Sequence, residues 1–111
     1  TGERLKEIFE DVADNIFNPD PYYQQGGDMV RLGGLSYAID VSAPIGKRIS
    51  NMTLLKTGAS VEASKTYIVS GWGSVNQATE GPPIWEVVRN HVARSKTIRL
   101  KENTAIKVTG A

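Results

Sequence analysis

The sequence predicts an α+β fold, a mostly antiparallel sheet with two main helices, in one domain spanning residues 1–111. Three patterns carry this. Apolar side chains recur at helical spacing over residues 5–16, apolar and polar residues alternate over 35–41, and a second helical stripe opens at Pro83. Forty per cent of the 111 residues are apolar. A chain of this size buries roughly two-thirds of the surface its unfolded form exposes.

Leu5, Ile8, Phe9, Val12, Ala13 and Ile16 form one face of the first helix, and Lys6, Glu7, Glu10, Asp11 and Asp14 the other. Thr1 suits the N-cap and Glu3 the first turn. The helix is expected to stop near Phe17, because Asn18-Pro19-Asp20-Pro21 breaks it. Residues 18–34 then read as a long loop with two double glycines, a length that is often functional. Leu35, Tyr37, Ile39 and Val41 mark a half-buried strand, and Ala43-Pro44-Ile45-Gly46 turns the chain. Further strands are expected at Ile49–Leu55, Thr66–Ser70, Thr97–Leu100 and Ala105–Val108. Pro83 starts the second helix, whose buried stripe is Ile84, Val87, Val88 and His91.

Thirteen basic against twelve acidic side chains leave a net charge of +1. That balance argues against a polybasic nucleic-acid binder, and no apolar run approaches the roughly 18 residues of a membrane span. The chain opens on Thr1 with no signal-peptide pattern, so residue 1 is expected to be a boundary and not a translation start. Without cysteine there is no disulfide, thiolate metal site or thiol nucleophile. His91 is the single histidine, and its spacing fits packing better than metal binding or acid–base work. One histidine and scattered carboxylates do not supply a dinuclear metal site. No serine sits in a Gly-x-Ser-x-Gly elbow. Gly71-Trp72-Gly73-Ser74-Val75-Asn76 only approaches a dinucleotide fingerprint, because no helix opens directly after it. Asn51-Met52-Thr53 matches a glycosylation sequon, a short pattern that reads equally as strand.

The long loop carries the most chemistry. Tyr22, Tyr23, Gln24, Gln25, Asp28 and Arg31 stand on a glycine-rich backbone, and an arginine grips an oxyanion with two parallel hydrogen bonds. Two readings stand level on composition: a ligand site, or an Asp28–Arg31 pair that ties the loop to itself.

Residues 14–37, from Asp14-Asn15-Ile16-Phe17-Asn18-Pro19-Asp20-Pro21-Tyr22-Tyr23 through Gln24-Gln25-Gly26-Gly27-Asp28-Met29-Val30-Arg31-Leu32-Gly33-Gly34 to Leu35-Ser36-Tyr37, closely resemble the SoxB thiosulfohydrolases. These are hydrolases of bacterial sulfur oxidation within the 5′-nucleotidase family. The likeness continues through Gly46–Ser50, Lys65–Tyr67, Gly71-Trp72 and Gly81–Trp85, and Thr1–Leu5 looks like a helix start inside the C-terminal domain. The resemblance implies the last part of a 5′-nucleotidase-type C-terminal, substrate-binding domain. A metallophosphoesterase domain with two manganese ions would precede it, and the whole enzyme would release sulfate from cysteine S-thiosulfonate on a SoxYZ-type carrier in the periplasm. On this resemblance Arg31 recognises the sulfonate, Asp28 and Gln25 orient it, and Tyr23 and Trp72 form a wall for the carrier arm. No catalytic residue and no metal ligand is expected in this chain, and neither nucleic acid nor membrane is an expected partner.

Two departures separate the chain from nucleotidases, which sandwich a base between aromatics. Leu32 falls near the first aromatic position, and Gly81-Pro82-Pro83-Ile84-Trp85 lacks the carboxylate of the second loop. The alternatives are a periplasmic 5′-nucleotidase-like phosphohydrolase and a non-catalytic partner-docking module.

Overall fold

The computed structural model describes residues 1–70 and 81–110. Its elements are α1 (Gly2–Phe17), a 3-10 turn (Pro21–Tyr23), β1 (Leu35–Asp40), β2 (Ile49–Leu54), α2 (Ile84–Ser95) and β3 (Lys107–Thr109). The chain divides into two compact units, Thr1–Ile68 with Asn103–Ala111, and Val69–Glu102. The fold is α+β, with two helices and a small mixed sheet of strand order β2-β1-β3. β1 pairs antiparallel with β2, and the short β3 joins the other edge of β1 in parallel.

The Thr1 hydroxyl caps α1 by accepting from the Arg4 amide at 3.2 Å. Two further N-terminal amides, of Gly2 and Glu3, donate to the carbonyls of Lys65 and Ala63 at 3.0 and 2.9 Å. These are donors that a helix start leaves without intrahelical partners. Gly2 is required by that approach, since a Cβ there would strike the Glu62 carbonyl oxygen. The helix ends at Asn18, whose φ of −60° and ψ of 131° are extended, as the following proline demands.

The core is Phe9 and Ala13 of α1 against Leu35, Tyr37 and Ile39 of β1 and Ile49 and Met52 of β2. Phe9 stacks on Tyr37 with ring centroids 5.6 Å apart. The polar face expected of α1 is corrected at Glu10, which is only 4% exposed. Glu10, Asp14 and Phe17 lie at helical spacing along a face turned to the start of β2, where backbone amides need an acceptor.

β1 alternates buried and half-buried residues as the sequence predicts. β2 does not. Its register shifts opposite the stretch between Ser36 and Ala38, and Asn51 takes a φ of 52°. This bulge inserts one residue, so Met52 and not Asn51 follows Ile49 into the core.

The strand expected at Thr66–Ser70 is not formed. The outer edge of β2 is taken instead by residues 59–61: Leu54 donates to the Ala59 carbonyl, and Val61 to that of Met52. Residues 66–70 do not pair with β2, and Ile68 stands fully in solvent. Thr97–Leu100 is likewise irregular and exposed, while the last expected strand forms as β3, shifted to Lys107–Thr109.

α2 forms where expected, but its stripe is not buried. Ile84, Val87, Val88 and His91 are all exposed, which also corrects the reading of His91 as a packed residue. Within Val69–Glu102, α2 has no second helix or strand among the described residues, and a lone helix cannot bury its own face. No helix among the described residues is long and apolar enough to cross a membrane.

Candidate functional site

The 18–34 loop is built by local hydrogen bonds from its first residue. The Asn18 amide side chain donates to Asp14 Oδ2 at 2.8 Å, and its Oδ1 accepts from the Asp20 amide at 3.0 Å. Asp20 Oδ1 in turn accepts from the Tyr22 amide at 2.9 Å, which caps the 3-10 turn. Gln24 Nε2 folds back to the Asn18 carbonyl at 2.7 Å. These are the side-chain-to-backbone closures by which Asn and Asp nucleate turns.

Gly26 and Gly27 have φ of 76° and 103°, a reversal that side-chain-bearing residues resist. It brings the Gly26 amide to the Asn15 carbonyl at 3.0 Å, tying mid-loop to α1. Met29 and Leu32 then pack against the core, which leaves Asp28, Val30 and Arg31 outside. At the exit, Asn103 donates through Nδ2 to the carbonyls of Leu32 and Leu35 at 3.2 and 2.8 Å. The sequence reading missed Asn103. It lies 71 residues from Leu32, and an isolated Asn carries no local signal.

Tyr23, Gln25, Asp28 and Arg31 thus share one loop and are all exposed. Tyr23 meets Tyr22 edge to face at 5.3 Å. Among the described residues no ion pair joins Asp28 to Arg31, so the guanidinium and the carboxylate face solvent and do not tie the loop together. Trp72, with the Gly71–Asn76 stretch, lies outside the described residues. Leu32 points its bulk at the core and offers no face to a planar ring.

Arg48 lies between the Ala43–Gly46 turn and the start of β2. It is 2% exposed. Its Nη1 donates to Asp14 Oδ1 at 2.6 Å and its Nη2 to the Phe17 carbonyl at 3.1 Å, while Nε has no partner among the described residues. The Arg48 guanidinium and then the Asn18 amide hold the Asp14 carboxyl below the usual carboxylate range. Hydrogen bonds from the Ser42 hydroxyl and amide lower Asp40 in the same way, and burial raises Tyr37. No group of three or more His, Asp or Glu among the described residues is placed to hold a metal.

Residues 1–83 match the model of the family described as 5′-nucleotidase, C-terminal domain. No curated protein matches the chain. Among solved structures, that of Thermus thermophilus sulfate thiohydrolase SoxB in complex with glycerol superimposes with a TM-score of 0.83 at 31% identity. The match covers 99% of this chain and 21% of that one, so the chain spans about a fifth of that protein's length. A cap of polar turns over a shared helix–sheet core, matched in sequence by the family model and in fold by SoxB, identifies the chain as a SoxB-like member of the 5′-nucleotidase C-terminal domain family.

Proposed function

We propose that the chain is the substrate-binding segment of a periplasmic thiosulfohydrolase, which releases sulfate from a cysteine S-thiosulfonate borne on a SoxYZ-type carrier. The observation that carries this reading is the end-to-end match to SoxB, at 31% identity over 99% of the chain. The loop chemistry agrees with it. A terminal sulfonate is a tetrahedral anion, and Arg31 offers it a solvent-facing guanidinium with two parallel N–H donors. Asp28 and Gln25 orient that head, and Tyr23 lines the path of the carrier arm. Two manganese ions, when bound by a preceding metallophosphoesterase domain, would supply the water-activating chemistry. This chain's part is to bind and align.

The family match over residues 1–83 favours a second reading, a 5′-nucleotidase-like phosphohydrolase. The inward Leu32 weighs against it, since base stacking on an aromatic contributes roughly 1–3 kcal/mol per base. Assays of the intact manganese-loaded enzyme separate the two: sulfate release from thiosulfonated carrier is expected to exceed phosphate release from AMP in kcat/KM. Arg31→Ala is expected to lower kcat/KM for the carrier about ten- to a hundredfold, the equivalent of one charged hydrogen bond. Arg31→Lys restores only part, because an ammonium lacks the fork. Preferred turnover of AMP would establish the second reading, and full activity of Arg31→Ala would remove Arg31 from the site.

A further inference from the structure

We propose that Arg48 is the positioning residue of the 18–34 loop, fixing from beneath the point at which the loop leaves α1; the inference rests on that loop being the substrate loop proposed above. The backbone of Arg48 is itself immobilised. Its amide donates to Glu10 Oε2 at 3.3 Å, and its carbonyl accepts from the Asp40 amide at 2.9 Å. From this anchor the guanidinium reaches two acceptors on the last turn of α1. One is the Phe17 carbonyl, an end-of-helix group with no intrahelical donor. The other is Asp14, whose second oxygen takes the Asn18 side chain. Asn18 then holds Asp20 through Oδ1 and Gln24 through its carbonyl, and the adjacent Asn15 carbonyl takes Gly26. An unbroken relay therefore runs from a buried cation to Gln24, the neighbour of Gln25.

Stability alone does not account for this arrangement. A guanidinium that is 2% exposed and leaves Nε unpaired among the described residues is a costly filling for a core site, where an apolar side chain of the same volume serves as well or better. What the fork adds is direction. It bonds the helix end and Asp14 together in one plane, which a lysine cannot do. The lowered Asp14 carboxyl keeps this pair charged at neutral pH.

The test uses the intact enzyme with Arg48→Met, which keeps volume, and Arg48→Lys, read by hydrogen-exchange mass spectrometry and by kinetics. Arg48→Met is expected to speed exchange across residues 18–26 at least tenfold while β1 and β2 stay protected. KM for the carrier is expected to rise at least tenfold with kcat changed less than threefold. Arg48→Lys is expected to restore part of both. A variant with only a stability defect would lose protection in β1 and the loop together, and that result, or loop exchange equal to wild type, overturns the proposal. Should Arg48→Met fail to fold, Asn18→Ala cuts the relay above the buried guanidinium. It is expected to give the same loop-confined exchange and raised KM, and wild-type values there overturn the proposal. The exchange readout stands whichever substrate the enzyme takes, so failure of the thiosulfohydrolase reading shows in product identity and failure of the relay in loop exchange.

Discussion

One carboxylate organises the junction between α1 and the sheet. Glu10 accepts from the amides of Gly46, Ile49 and Arg48 at 2.8, 2.7 and 3.3 Å, so three donors at the entry to β2 end on a single side chain. Removing it strands the buried N–H groups of Arg48 and Ile49. Glu10→Ala is expected to cost on the order of 3 kcal/mol, whereas Glu10→Gln, which keeps one good acceptor, costs about 1 kcal/mol. Asp11→Ala, on the exposed side of the same helix, stays within about 0.5 kcal/mol of wild type. Urea unfolding midpoints at neutral pH order the three. Neither Glu10 nor Arg48 was legible as a buried residue: helical periodicity assigns Glu10 to the outer face, and an arginine beside a turn reads as solvated by default. Their partners lie 31 to 39 residues away in sequence.

The bulge in β2 is an element-scale decision made by one residue. Asn51 sits at a φ of 52°, where a β-branched side chain collides with its own backbone and asparagine is tolerated. Asn51→Val is expected to destabilise by about 1–2 kcal/mol although the side chain is exposed and valine favours strands. Asn51→Gly is expected to be neutral or slightly stabilising. Thermal melts of the two variants, run side by side, check the sign. Strand propensity predicts the reverse order. The same scale explains the strand that did not form at Thr66–Ser70: its β-branched composition is real, but a strand needs a free edge, and residues 59–61 occupy the one beside β2.

At the scale of the molecule, lowered carboxylates make the fold sensitive to acid. Asp14 and Asp40 both have folded values below the ordinary 3.8. The unfolded chain therefore binds protons at a higher pH than the folded one does. The stability these groups contribute is fully present above their unfolded value and is lost as pH falls through the folded ones. Melting temperature is expected to hold through neutral pH and drop below about pH 4. In Asp14→Asn that acid slope becomes shallower, at the cost of a lower neutral-pH plateau. Tyr37 sets the opposite limb: raised above 10.0 by burial, it contributes stability that is lost only as pH climbs beyond that ordinary value. Melts from pH 2 to 11 follow both limbs, and an acid slope unaltered by Asp14→Asn would remove the Arg48 pair as its source.

What the sequence determined by itself was whatever neighbours in the chain decide. The cap at Thr1, the stop at Asn18-Pro19, the alternating β1 and the glycine-rich loop all depend on contacts within a few residues, and each stands in the structure. The α+β class and the family likeness were legible for the same reason, since they follow from local pattern and contiguous motif. Tertiary structure alone decided which charges lie inside, which edge of β2 is taken, that β3 joins β1 in parallel, and that Asn103 closes the loop exit. Those outcomes depend on donors and acceptors from distant segments meeting where water is excluded. There an unpaired amide or carbonyl is costly, and satisfying it outweighs the preference of the side chain that does so.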